Sequence, residues 1–326
     1  MNNPKIPIYQ YALYGAQYLI NQIDPKTGKF IYRRASDGKI INGQYNILRH
    51  YGAIWACAYA INTIPMNSDL MALYDSKLKK ALEYPTKAQD DTLIIAKKPG
   101  VYKLGAQALG ILAHRKMGGW NEASKLLQGM ETFLSPTQAI KFYKMDNPTT
   151  PSSFKSNYYG GEAALAYCEM GEPLKAINIL NYLITRKYMT EGLTPDHWAM
   201  QAIEMLLHRP PSNMGPVIYA WGEMIGDCIF QTLPGCEDNI TRLACRLEGI
   251  VSYYAIAKPE KRALIEIYIE RYMESLFEAQ DLSDSKTFGA FFDKGFSQID
   301  TTQHALMAIL RFHQLKKKFQ HEPALY

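Results

Sequence analysis

Residues 44–60 read QYNILRHYGAIWACAYA, and the character of this stretch decides the fold. Polar and aromatic residues come first (Tyr45, Arg49 and His50), and a nearly unbroken run of small and apolar residues follows. Apolar groups on most sides of one helix mark a helix buried nearly all round. The Ala and Gly residues in that run let neighbouring backbones approach closely, as an inner ring of helices requires.

Five further stretches repeat the plan: 102–117 (YKLGAQALGILAHRKM), 158–170 (YYGGEAALAYCEM), 195–207 (PDHWAMQAIEMLL), 241–254 (TRLACRLEGIVSYY) and 300–312 (DTTQHALMAILRF). Between them, 66–84, 120–133, 172–188, 217–232 and 259–280 are helix-compatible but more amphipathic. In the last, Glu260, Lys261, Glu266, Glu270, Arg271 and Glu274 mark a wet face. Pro173 and Pro259 fall where a first helical turn tolerates proline. Residues 7–22 supply a sixth outer partner. This alternation, at intervals of roughly 40–60 residues, is the range of helical-hairpin repeats. It predicts an all-α chain, an (α/α)6 toroid of alternating inner and outer helices, as one domain over 1–326. Two stacked helical domains are the alternative. Period-two alternation is confined to pieces such as Lys29–Tyr32, and 85–100, 145–157, 209–215 and 282–299 read as loops.

Composition narrows the function classes. A net charge of +5 comes from scattered basic residues, apart from Lys316, Lys317 and Lys318. With no basic stripe and no RNP-like motif, nucleic acid is not an expected partner. The five cysteines are odd in number and form no CxxC pair, which argues against a disulfide framework or a zinc knuckle. The start lacks a basic segment followed by an apolar one, so a cytoplasmic location is the default, with a mature secreted form or signal-independent export as the alternatives. No apolar run is long enough to span a bilayer. There is no GxxxxGK[ST], no GxSxG elbow and no HExxH helix. No cofactor and no metal site are expected; oligomeric state is left open.

If the inner helices run parallel, their polar openings gather at one mouth of the ring. Tyr45, Arg49 and His50 then meet Tyr158, Tyr159 and Glu162, Asp196, His197 and Trp198, Arg246 and Glu248, and Asp300, Gln303 and His304. Such convergence is what a ligand site requires.

At these motifs the chain resembles bacterial proteins of the six-hairpin glycosidase superfamily: YNILRHYGAIWA, YKLGAQALGILA, YYGGEAALA, PDHWAMQA, RLEGI and IDTTQHALMAI, covering about Tyr45 to Phe312. The resemblance implies an (α/α)6 toroid and carbohydrate chemistry, which in this superfamily spans hydrolases, epimerases and lyases.

Glycoside hydrolysis needs two carboxyl groups across the scissile bond, one protonated and one charged. Glu162, Asp196 and Asp300 are the candidates. Glu162 follows two tyrosines and two glycines, a setting in which desolvation raises its pKa, so it is read as proton donor. Asp196 opens a helix whose dipole favours the ionised form, so it is read as base. The structural alternatives are an N-cap for Asp196 and an ion pair of Glu162 with Arg49 or Arg246. Arg49 would grip a uronic-acid carboxylate, with His50 bonding a hydroxyl or moving a proton; an internal salt bridge and a satisfied histidine are the bland account. Tyr45, Tyr158, Tyr159 and Trp198 would line the sugar, with His197, Arg246, Asp300 and His304 as polar contacts. Asp300 and His304, four apart, share a helix face, but the sequence offers that pair no third metal ligand. The expected substrate is an oligo- or polysaccharide, with anionic sugars favoured by the helix N-termini. The competing readings are a uronate lyase or epimerase working through His50 with Tyr158 or Tyr159, and a binding toroid without catalysis.

Overall fold

The structure is a computed structural model that describes residues 6–43, 45–86, 89–90, 92–95, 100–134, 143–145, 156–211, 213–283 and 285–320. In chain order it runs α1 (Ile8–Asn21), β1 (Arg33–Ala35), α2 (Ile47–Thr63), α3 (Ser68–Thr86), β2 (Gln89–Asp90), β3 (Leu93–Ile94), β4 (Val101–Lys103), α4 (Leu104–Lys116), α5 (Trp120–Glu131) and β5 (Tyr143–Met145). It continues with α6 (Tyr159–Glu169), α7 (Pro173–Tyr182), a π-helical turn (Leu183–Lys187), α8 (Tyr188–Glu191), α9 (His197–His208) and α10 (Gly215–Gln231). The last elements are α11 (Ile240–Ile256), α12 (Pro259–Glu278), β6 (Phe292–Asp293), β7 (Phe296–Gln298) and α13 (Ile299–Gln320).

Six helices close a ring. Helix α2 packs on α4, α4 on α6, α6 on α9, α9 on α11, α11 on α13, and α13 returns to α2. These are the six stretches that the small-apolar pattern singles out, and the chain is an all-α (α/α)6 toroid. Outside the ring, α3, α5, α7, α10 and α12 pack against the inner helices that precede them, while α1 packs on α13 and, less extensively, on α2. The last inner helix thus takes its outer partner from the beginning of the chain.

Local chemistry explains where the inner helices begin. Asn46, Asp196 and Asn239 cap α2, α9 and α11, their side chains accepting backbone N–H groups of the first turn. The core runs through the contact between the two rings, with Tyr51, Tyr102, Tyr167 and Tyr253 among its largest fully buried side chains. Four seams of the inner ring need a glycine. A Cβ on Gly52 would overlap Gln303, one on Gly105 would overlap Glu162, one on Gly161 would overlap Asp196, and one on Gly249 would meet Ile229 and His197. At the first three a polar side chain of the neighbouring inner helix occupies the space that the missing methyl leaves, and at Gly249 it is chiefly Ile229 of the outer helix α10.

Several sequence expectations change, among them the loop read over 85–100, which contains the antiparallel β2–β3 pair. The loop read over 282–299 contains the β6–β7 hairpin, and β7 pairs antiparallel with β1 in the register Arg33–Gln298, Arg34–Ser297 and Ala35–Phe296. The strand signal at Lys29–Tyr32 is accordingly displaced to Arg33–Ala35, with Phe30 keeping only a single bridge to Ile23. The segment 172–188 is helical but passes into the π-helical turn. Most of 145–157 and part of 85–100 lie outside the described residues. Among the described residues, no helix is long and apolar enough to cross a membrane.

Gly289 sits before β6 with φ at +85°, and a Cβ there would overlap the carbonyl oxygen of Tyr14 in α1. Gly289→Ala adds left-handed backbone strain to that backbone clash, so it should cost about 2 kcal/mol or more. Urea denaturation followed by circular dichroism measures it; an unchanged midpoint would contradict this docking of the hairpin loop on α1.

Candidate active site

The inner-helix N-termini converge on a cavity of about 510 Å³. Its wall carries Asn46 and Arg49 from the start of α2, Tyr158, Tyr159 and Glu162 from α6, and His197 and Trp198 from α9. Helix α11 adds Thr241, Arg242, Cys245 and Arg246, and α13 adds Asp300, Thr301, Gln303 and His304. The β6–β7 hairpin and β1 form part of the rim through Asp293, Phe296, Gln298 and Arg33, with Arg33 Nε donating to Gln298 Oε1 at 2.6 Å.

Glu162 is buried, with Oε2 lying over Gly105 and making no hydrogen bond to the protein. Burial pushes its carboxyl up to about 8, and the nearby Asp196 and Asp300 carboxylates push the same way. It is therefore a protonated acid near neutral pH in the cavity wall, with its buried Oε2 lacking a protein partner. The ion pair with Arg49 or Arg246 considered for it does not form. Arg49 pairs with Asp300 instead. Arg246 donates through Nε to Thr232 Oγ1 at 3.1 Å and through Nη1 to the Pro195 carbonyl at 3.2 Å.

Asp196 and His50 require correction. The Asp196 side chain is fully buried and does not line the cavity. Its Oδ1 accepts the N–H groups of Trp198 at 3.0 Å and Ala199 at 3.1 Å, and Oδ2 accepts the Tyr188 hydroxyl at 3.3 Å. Burial pushes its carboxyl up to about 7, outweighing the N–H groups that lower it, so the helix dipole does not hold it as a free base. Asp196 is an N-cap. His50 is equally buried and off the cavity: Nε2 donates to the Ala81 carbonyl at 2.9 Å, which leaves Nδ1 to accept the Tyr45 hydroxyl at 2.6 Å. Burial lowers its pKa to about 4. Tyr45 is spent on this contact and on the Phe30 N–H, so it lines no sugar path either. The uronate reading that routes a proton through His50 loses its donor.

The histidines that face the cavity are His197 and His304, with ring centroids 5.1 Å apart and the rings edge to face. His197 has neither ring nitrogen hydrogen-bonded, and burial followed by the charge on His304 holds its pKa far down. Tyr158 and Trp198 flank its ring at 5.6 Å and 5.0 Å. His304 Nδ1 donates to Glu248 Oε1 at 2.6 Å, and its Nε2 lies 3.7 Å from Asp300 Oδ1. Burial works to lower the His304 pKa, but Cys245 and Glu248 beside it outweigh burial and raise it well above the ordinary value. Glu248 is held in turn by Gln201 Nε2 at 3.1 Å, a contact that reaches across helices from α9 to α11. Trp198 is almost wholly buried against Trp55, and Tyr159 sits against Glu162.

Sequence reading missed Arg33, Cys245, Phe296 and Asp293 as site residues. Cys245 falls three residues after Arg242 and three before Glu248, a spacing that places all three along one helical face. The hairpin residues carried no such signal, because only pairing with β1 brings them to the rim.

No family model and no curated protein sequence matches the chain. Among solved structures it is similar to a D-mannose isomerase (TM-score 0.70, 14% identity, covering 97% of this chain and 100% of that one). It is also similar to a family 76 glycoside hydrolase from a bovine Bacteroides thetaiotaomicron strain (0.69, 11%, covering 96% and 78%). A third is a sugar epimerase from a ruminal bacterium (0.67, 10%, covering 93% and 98%). At these identities the likeness is one of fold, the toroid that the six-hairpin glycosidase resemblance implied.

Glu162 and Asp196 hold protons in the folded protein that the unfolded chain releases above about pH 4–4.5. Their contribution to stability is present below that value and is lost as pH rises toward 7 and 8. Glu162→Gln removes one share. Its urea midpoint should fall less between about pH 5 and pH 8 than that of the unaltered protein; parallel curves would mean that Glu162 is not held protonated.

Proposed function

We propose that the protein is a carbohydrate-active enzyme, a glycoside hydrolase in which Glu162 gives the proton to the leaving oxygen and Asp300 is the second carboxylate. The observation that carries this reading is Glu162 Oε2, buried at the cavity wall without a protein partner and protonated near neutral pH. Hydrolysis asks for an acid of this kind with a charged carboxylate across the bond. Asp300, ion-paired to Arg49 on a different inner helix, supplies the second. Asp196, fixed as a cap, does not enter the chemistry. Tyr158 and Tyr159 offer ring faces to the apolar side of a sugar. Arg33, Arg242 and Arg246 around the mouth favour an anionic saccharide, a uronic-acid polymer end being the natural case. Solved relatives in fold whose names state hydrolysis, such as the family 76 glycoside hydrolase, support the class.

A second reading rests on a separate observation, the facing imidazoles. His197 is neutral and hydrogen-bond free while His304 is held charged, the two states that removing and returning a proton beside a sugar carbonyl would use. Sugar epimerases and isomerases among the structures similar in fold agree with it.

A reducing-end screen over neutral and uronic-acid glycans separates the two. Hydrolysis predicts new reducing ends, lost by a factor of at least about 100 in Glu162→Gln and in Asp300→Asn, and a kcat/KM that declines above about pH 8. Asp196→Asn retains the cap and should keep turnover. Deuterium entering a free sugar from D2O, with no new reducing ends, favours the imidazole reading. Full turnover in Glu162→Gln would remove the hydrolase assignment.

A further inference from the structure

We propose that His197, Cys245 and His304 form a binding site for a divalent transition metal of the zinc class, opening into the cavity. The sequence places these residues on three different helices, α9, α11 and α13, where no ligand spacing is visible. The ring brings one ligand atom from each to within 4.8 Å of the others. Two imidazoles and a thiolate are a ligand set that suits zinc and its neighbours. An inward shift on the order of 1 Å brings them to tetrahedral spacing.

Two independent observations support a ligand there. His197 is 2% exposed, yet neither of its nitrogens has a protein partner. A buried imidazole without a hydrogen bond is costly, and a metal ion is a partner that repays the burial. His304 is already arranged as a ligand. Its Nδ1–H donates to Glu248, which is fixed by Gln201, so Nε2 is the nitrogen left to coordinate. A histidine whose second nitrogen is held by a carboxylate is the usual outer-shell arrangement of metal sites, and it orients the ring and raises its basicity. The buried Glu248 carboxylate also offsets part of the added positive charge.

All three residues line the cavity, so three protein ligands leave a fourth position facing the space where a sugar would lie. A sugar hydroxyl, a carbonyl oxygen or water fits that position. The proposal does not require the Glu162–Asp300 chemistry, although the metal would stand beside Asp300, whose Oδ1 lies 3.7 Å from His304 Nε2. It does bear on the imidazole reading, because coordination commits the lone pair that His197 would use as a base.

The test uses the full chain, treated with chelator and dialysed, then titrated with Zn2+ in a calorimeter and with Co2+ in an absorption cell. The expected result is one metal per chain and a thiolate-to-cobalt charge-transfer band. Cys245→Ser and Cys245→Ala, each changing one small side chain, should lose the band and weaken Zn2+ binding at least tenfold with helicity unchanged. Glu248→Gln should weaken binding by about 10–100-fold while keeping the band. No stoichiometric uptake by the unaltered chain, or the same affinity and band in both cysteine variants, would overturn the site. Neither readout involves turnover, so failure of the metal site and failure of the hydrolase assignment are seen separately.

Discussion

The close approach of the six inner helices is the constraint on which everything else depends. Closing a ring of parallel helices around a cavity requires seams narrow enough to exclude water below the mouth. Glycine supplies that at Gly52, Gly105, Gly161 and Gly249. At Gly52, Gly105 and Gly161 a polar group of the next inner helix fills the vacated volume (Gln303, Glu162 and Asp196), while at Gly249 the apolar Ile229 does so beside the His197 backbone and Cβ. The small residues that let the ring close therefore also set Gln303 and Glu162 in place at the cavity wall. Packing and function share one set of contacts.

Those contacts impose an electrostatic cost that the molecule distributes unevenly. Asp196 and His50 are buried with their hydrogen-bonding groups matched by backbone and hydroxyl partners, and both serve the framework. Glu162, His197 and Gln303 are buried with a polar atom left over. Unpartnered buried atoms also occur away from the cavity, as at Tyr51, Tyr167 and Gln280, so the feature that singles these three out is their place on the cavity wall. That all three border one cavity is the strongest physical sign of a working site.

The toroid was legible because its evidence is periodic. Each inner helix repeats polar opening and small-apolar body, and six repetitions average out local ambiguity. Glu162 was legible too, since the glycines and tyrosines before it signal a tight, desolvated approach. Asp196 and His50 show the limit of the same logic. Both stand at polar openings, but Asp196 turns back onto its own helix N-terminus, and His50 turns outward to the Ala81 carbonyl of α3. A one-residue step along a helix rotates a side chain by about 100°, and Arg49 faces the cavity where His50 does not.

By itself the sequence determined the helix alternation, the inner and outer roles and the polar start of each inner helix, because burial pattern and capping are local properties. Tertiary structure alone decided which carboxylate faces the cavity, that Arg49 meets Asp300, that the β6–β7 hairpin joins the rim, and that Cys245 stands beside two histidines from other helices. These depend on helix rotation and on contacts between residues far apart in the chain, such as Arg33 with Gln298, 265 positions away. No short-range pattern in a chain encodes a distance of that kind.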